Sequence, residues 1–168
     1  MENTERKMTT GRPIVEPLED ENFVYINGFV IPKGKTKEDI KAREEVTKSM
    51  YACWCAENPS KKRRNTDLKS EIEVNTESMG KITSNAGSNY KSALAFYYLD
   101  FILENAKKVK TSQAKSNRQK KLVKGGYMLE MKLDNFEFEF FKEIKLMVGV
   151  KRNKDKVVYS ITAVEVEK

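Results

Sequence analysis

At 168 residues, with 34% of them charged and a formal net charge of +7, the chain is expected to be soluble, to bury a sizeable core and to meet a polyanion such as RNA, DNA or an acidic protein surface. It contains no histidine, which excludes the usual proton shuttle of a nuclease. No run of about 18 apolar residues occurs, and "MENTERKMTTGRP" lacks the apolar core of a signal peptide, so a cytoplasmic protein with no membrane partner is expected.

Residues 1–20 are polar, carry two prolines and read as a flexible arm. "FVYINGFVIP" then predicts a hairpin around Asn27-Gly28, because an Asn-Gly turn between apolar runs suits two residues with φ > 0. Thr36 with Asp39 three places on resembles a capping box, and a helix is expected from about Lys37 to Glu57. Ile40, Arg43, Val46, Met50, Cys53 and Trp54 fall near one face of it, and Asn58-Pro59 stops it. Hairpin and helix make an N-terminal unit over 21–59. Cys53 and Cys55 have no second cysteine pair or histidine to complete a zinc site, so two free thiols and no metal are expected.

"SKKRRNTDLK" reads as a basic loop, and "SEIEVN" as a half-buried strand with Ile72 and Val74 on its apolar side. "TESMGKITSNAGSN" predicts a short helical turn near Ser78 followed by a loop. "YKSALAFYYLDFILENA", residues 90–106, is apolar almost all round and predicts the central helix under a sheet. Its aromatic residues Phe96, Tyr97, Tyr98 and Phe101 follow helical spacing, which assigns them to the core rather than to base stacking.

Residues 107–124 carry eight Lys or Arg and no acid, the pattern of a solvated loop or strand margin. Lys107, Lys108, Lys110, Lys115, Arg118, Lys120, Lys121 and Lys124 of this run are the candidate nucleic-acid contacts, together with Arg152. Three strands follow, in "GYMLEMKLDN", "FEFEFFKEIKLMVGVKR" and "KVVYSITAVEVE", with a turn or bulge where the alternation changes parity at Phe141. Glu137 and Glu139 share one strand face, as surface acids alternating with phenylalanine do. The fold class is α+β: a curved antiparallel sheet, made of the C-terminal meander plus one earlier strand, packed on a central apolar helix.

A turn centred on Lys154-Asp155 pairs Arg152 with Val157 and sets the two faces of the last hairpin. Ile144, Leu146, Val148, Val150, Val157, Tyr159, Ile161 and Ala163 form a core face. Lys145, Met147, Gly149, Lys151, Val158, Ser160, Thr162 and Val164 form the other. Gly149 opposite Ser160 marks a place where a phosphate or base can approach, with Lys151 supplying charge and the hydroxyls hydrogen bonds.

The order of these features, above all "EIEVN", "LDFILENAKKV" and "VGVKRNKDKVVYSIT", resembles the large polyvalent protein-associated domains of phages and conjugative elements. It also resembles the related barnase/EndoU/colicin/RelE-like nuclease domains, over roughly residues 70–166. The resemblance implies an α+β nuclease-like domain over 70–168 and, in many members, ribonuclease activity. Where histidine-bearing members place a general base, this chain has Lys81, Ser84 and Asn85. An active form would therefore be a metal-independent ribonuclease that uses a perturbed lysine, Lys81, Lys91 or Lys151, with Ser160 and Thr162 beside it. The expected partner is RNA or another polyanion, with no cofactor. The alternative is a protein-binding, anti-defence inhibitor that acts on a host nuclease complex.

Overall fold

The computed structural model describes residues 5–7, 13–76, 79–113, 127–133, 141, 143–153 and 156–166. Asn27 (φ 46°) and Gly28 (φ 89°) adopt the positive dihedrals their turn requires, and they close the hairpin of β4 (Phe23–Ile26) on β5 (Phe29–Pro32). Val24, Ile26 and Ile31 point inward and are fully buried, while Phe23 and Val30 stay exposed. β3 (Leu18–Glu19) pairs with β4 to make a three-stranded sheet. β1 (Glu5–Lys7) and β2 (Pro13–Val15) pair separately, so part of the expected arm is strand.

Helix α1 (Lys37–Glu57) starts at the capping box expected from Thr36. The Asp39 N–H donates to Thr36 Oγ1 at 3.1 Å, and the Thr36 N–H donates to Asp39 Oδ2 at 3.4 Å. Its buried stripe is Arg43, Thr47, Met50 and Trp54. Arg43 is 2% exposed. Its Nε donates to Gly87 O at 2.9 Å, and its Nη1 donates to Pro32 O and Gly34 O, each at 2.6 Å. One guanidinium thus ties the hairpin, α1 and the following helix together.

That helix, α2 (Met79–Ser88), occupies a segment expected to be mostly loop. Met79, Ile82, Thr83 and Ala86 are buried at helical spacing. Gly87 lets it approach α1 so closely that a Cβ there would lie 2.9 Å from Glu44 Cγ. Packing overrides the weak helix propensity of the Gly, Ser, Thr and Asn residues in this stretch. The single helix expected over 90–106 is two, α3 (Tyr90–Tyr97) and α4 (Leu99–Asn105). At the break, Tyr98 (φ −94°, ψ 24°) turns its N–H to Ala95 O at 2.9 Å, a tightened last turn. Its hydroxyl donates to Val15 O at 2.6 Å, and burial pushes that hydroxyl's pKa well above the usual tyrosine range.

The larger sheet has six strands in the order β6-β7-β11-β10-β9-β8. They are β6 (Lys62–Asn65), β7 (Ser70–Glu73), β8 (Lys107–Ser112), β9 (Tyr127–Leu133), β10 (Ile144–Asn153) and β11 (Lys156–Val166). The meander β9-β10-β11 is as expected, with Arg152 opposite Val157 and Gly149 opposite Ser160. Three features differ. The earlier strand β7 runs parallel to β11, so the sheet is mixed. The first basic segment, expected as a loop, supplies the edge strand β6, and the start of the second, expected as a loop or strand margin, is the other edge strand, β8. A bulge also intervenes in the last hairpin, where Val148 faces Ile161 but Met147 faces Ala163, leaving Thr162 as the extra residue. Beyond it the parity inverts. Val164 and Val166 join Leu146 and Ile144 on the core face, and Ala163 moves to the other side with Met147. Val157, assigned to the core face, is 44% exposed.

Helices α2 and α3 pack on β11, and the Asn85 and Asn89 amides donate to Val164 O (3.3 Å) and Val166 O (3.1 Å). One apolar cluster runs from Val24 and Ile31 through Met50, Ile82, Leu94 and Ile102 to Val148, Val150 and Ile161, so the hairpin and α1 share the core of the larger sheet.

Candidate polyanion interface

Asn65, fully buried at the end of β6, donates through Nδ2 to Leu103 O (2.7 Å) and Ala106 O (2.9 Å). These are carbonyls at the C-terminal end of α4 that lack an intrahelical partner. Its Oδ1 accepts from the Leu68 N–H at 2.7 Å, closing the turn of the β6–β7 hairpin, where Lys69 takes φ 54°. Thr66 adds bonds from its N–H (2.9 Å) and Oγ1 (2.6 Å) to Glu104 O. Asp67 Oδ2 then accepts from the Lys108 N–H at 2.9 Å, at the start of β8. Asn65→Ala is expected to lower stability by about 2 kcal/mol in denaturant unfolding, because two buried acceptors lose their donor. A midpoint shift no larger than that of the surface change Lys62→Ala would show the cap to be dispensable.

This turn brings two basic runs, about 40 residues apart, into contact near the C-terminal end of α4, where Asp67 meets Lys108, while Lys61 and Lys62 lie at the other end of β6. Lys61, Lys62, Arg63, Arg64 and Lys69 come from the first, and Lys107, Lys108 and Lys110 from the second. The negative end of the helix dipole favours cations here. Arg63 pairs with Glu104 at 2.9 Å and Lys62 with Glu73 at 3.4 Å. Lys61, Arg64, Lys69, Lys107, Lys108 and Lys110 are exposed, and none forms an ion pair with a described residue. Val109 bulges between Lys108 and Lys110 and is 51% exposed, which breaks the alternation of the lysines along the edge. Solvated positive charge thus lines the two edge strands on either side of the Asp67–Lys108 contact, with Val109 among it and Glu130 opposite Lys110, an arrangement suited to phosphate contacts.

The other expected site residues lie elsewhere. Lys151 is half-buried on β10 and shares a face with Gly149 and Ser160. Ser160 is 8% exposed and its Oγ donates to Glu73 Oε2 at 3.4 Å, while Thr162 is 5% exposed and its Oγ1 donates to Met147 O at 3.0 Å. Thr162 thus satisfies the bulge, and a carboxylate stands beside Ser160. The same face carries a compensated ion network, in which Lys145 lies 2.8 Å from Glu130 and 3.8 Å from Glu165. The hydrogen bond from Lys145 holds the Glu130 carboxyl below its ordinary pKa.

Lys81, exposed on α2, and Lys91, half-buried on α3, belong to helices that pack on the opposite face of the sheet. The five candidate catalytic residues are therefore not gathered into one cleft. Arg152 lies on β10 opposite Val157. Lys115, Arg118, Lys120, Lys121 and Lys124 lie outside the described residues, as do Glu137 and Glu139. Lys61, Arg64 and Lys69 were visible as a basic run, but nothing local in the sequence joins them to Lys107. Among the described residues no group of His, Cys, Asp and Glu could hold a metal ion, and no helix is long and apolar enough to cross a membrane.

A family model described as large polyvalent protein-associated domain 3 matches residues 39–139, a stretch that takes in both basic runs. No curated protein and no solved structure matches the chain.

Proposed function

The chain belongs to the large polyvalent protein-associated domain 3 family, a family of phage and mobile-element proteins, and from that premise we propose that it binds RNA through the basic surface at the C-terminal end of α4. The observation that carries this reading is the meeting of two sequence-distant basic runs, held together by Asn65 and Asp67, with Arg64, Lys69, Lys107 and Lys108 exposed and in no ion pair with a described acid. Phosphates would lie along Arg64, Lys69, Lys107, Lys108 and Lys110. The remaining basic residues, from Lys115 to Lys124 together with Arg152, extend the same proposal. The nuclease-like resemblance joins it as ancestry rather than chemistry, since Lys81 and Lys91 stand across the sheet from Lys151 and Ser160. Binding without efficient cleavage is the expected outcome.

The test is the affinity for labelled single-stranded RNA as a function of salt. Counterion release predicts a linear fall of log K with log salt, with a slope of about −0.7 per phosphate bound. Replacing Arg64, Lys69, Lys107 and Lys108 with alanine is expected to flatten the slope by about 0.7 for each phosphate that the variant no longer neutralises. An unchanged slope would remove this surface from the interface. Gel analysis of the same RNA, with and without a chelator, separates retention from cleavage.

The second reading, an inhibitor that docks on a host nuclease complex, has one specific observation in its favour. Phe23 and Val30 are 37% and 44% exposed on the N-terminal hairpin, and they flank Tyr25 on its outward face. Failure to retain RNA at low salt would favour this reading.

A further inference from the structure

A cleft of about 580 Å³ opens between α1 and the break that separates α3 from α4. Met50, Cys53, Trp54 and Glu57 line it from α1, and Phe96, Tyr97, Tyr98, Asp100 and Phe101 line it from the broken helix. Val15, Asn27 and Phe29 complete its described wall. The break at Tyr98 lies in the wall of this cleft, with rings from the end of α3 and the start of α4 on either side of it. Here Tyr97 and Tyr98 stand edge to face, with centroids 5.2 Å apart, and the Asn27 amide donates to the Tyr97 hydroxyl at 3.1 Å.

The charge of this wall runs against that of the molecule. The chain has a net charge of +7, yet the two charged residues of the described lining, Glu57 and Asp100, are both acids. The Trp54 indole N–H donates to Asp100 Oδ1 in a short bond, which fixes the carboxylate against the ring and leaves Oδ2 with no partner among the described residues. Aromatic faces carry negative electrostatic potential, and a carboxylate among them compensates a positive charge withdrawn from water. A ring cluster built only as core would close on itself, whereas this one keeps a ligand-sized volume and an oriented acid.

We infer that this cleft is a binding site for a small organic cation, an ammonium or guanidinium group on a compact apolar body. The head group sits between the ring faces and Asp100, and Glu57 adds attraction at the rim. The inference stands apart from RNA binding, which uses the other end of α4.

Trp54 is the chain's single tryptophan, so its fluorescence reports on this cleft directly. The intact protein is titrated with choline, with N-acetylarginine amide, and with 3,3-dimethylbutanol as the neutral isostere of choline. A saturable change in emission with at least one cation, absent with the neutral alcohol, is expected. Glu57→Gln, at an exposed position, is expected to weaken the responding cation several-fold, and Asp100→Asn to weaken it about tenfold or more, the effect of removing one charge-assisted interaction. If Asp100→Asn does not fold, Glu57→Gln and the neutral isostere carry the test. No saturable change with either cation overturns the inference. An equal response to the neutral alcohol also overturns it, since that defines an apolar pocket indifferent to charge.

Discussion

Arg43→Leu is expected to destabilise the protein by about 4 kcal/mol, a loss on the scale of breaking a buried ionic network. The guanidinium is 2% exposed and binds three backbone carbonyls, at Pro32, Gly34 and Gly87. Burial lowers its pKa, opposed by the charge of Asp39. Leucine fills part of the volume but leaves the buried Pro32 and Gly87 carbonyls without a donor, while the part-buried Gly34 carbonyl loses its partner nearer to solvent. Those acceptors belong to the hairpin, the segment leading into α1, and the end of α2, so the junction of three elements loosens at once. Arg43→Lys, with one ammonium for three carbonyls, is expected to recover only part of the loss, because it lacks the planar fork. Denaturant unfolding monitored by Trp54 emission gives the measurement. A midpoint for Arg43→Leu equal to that of the wild type would show that the three bonds contribute nothing net.

Val148→Asp is expected to prevent folding altogether. Val148 is fully buried between Leu129 of β9 and Ile161 of β11, on the sheet face covered by α2 and α3. An unpaired carboxylate there costs several kcal/mol, comparable with the whole stability of a domain of this size. Lys151→Asp, three residues along the same strand and half-buried on the opposite face, is expected to change stability by less than about 1 kcal/mol. Circular dichroism melts of the two variants compare the faces directly. The reverse order of stabilities would show that the helices cover the other side.

The face that carries Lys151 and Ser160 is less open than alternation alone implies. Alternation places Ser160 and Thr162 side by side, but the bulge turns Thr162 toward the Met147 carbonyl, and Glu73 occupies the flank of Ser160. A phosphate approaching there would meet a carboxylate before a free hydroxyl. At the C-terminal end of α4 the described cations outnumber the acids that could neutralise them, and that imbalance is what moves the candidate interface from the sheet face to its basic edges.

The sequence by itself determined what depends on neighbours within a few residues. The Asn27-Gly28 turn, the Thr36–Asp39 capping box and the Arg152–Val157 register are such features, because their hydrogen bonds and dihedral demands close within one turn or one hairpin. It also identified the positive charge of 107–110 as surface, since a run of one sign cannot be buried. Only the tertiary structure decided the rest. Whether "MGKITSNAGS" is helix depends on α1 and β11 offering a surface that its small residues fit. Whether 90–106 is one helix or two depends on Tyr98, whose hydroxyl reaches a carbonyl 83 residues earlier in the chain. The parallel pairing of β7 with β11 and the extra residue at Thr162 are likewise set by partners far away in sequence. The two basic runs meet because Asn65, Thr66 and Asp67 find partners 38 to 41 residues downstream, and contacts that distant leave no periodic signature in the chain that makes them.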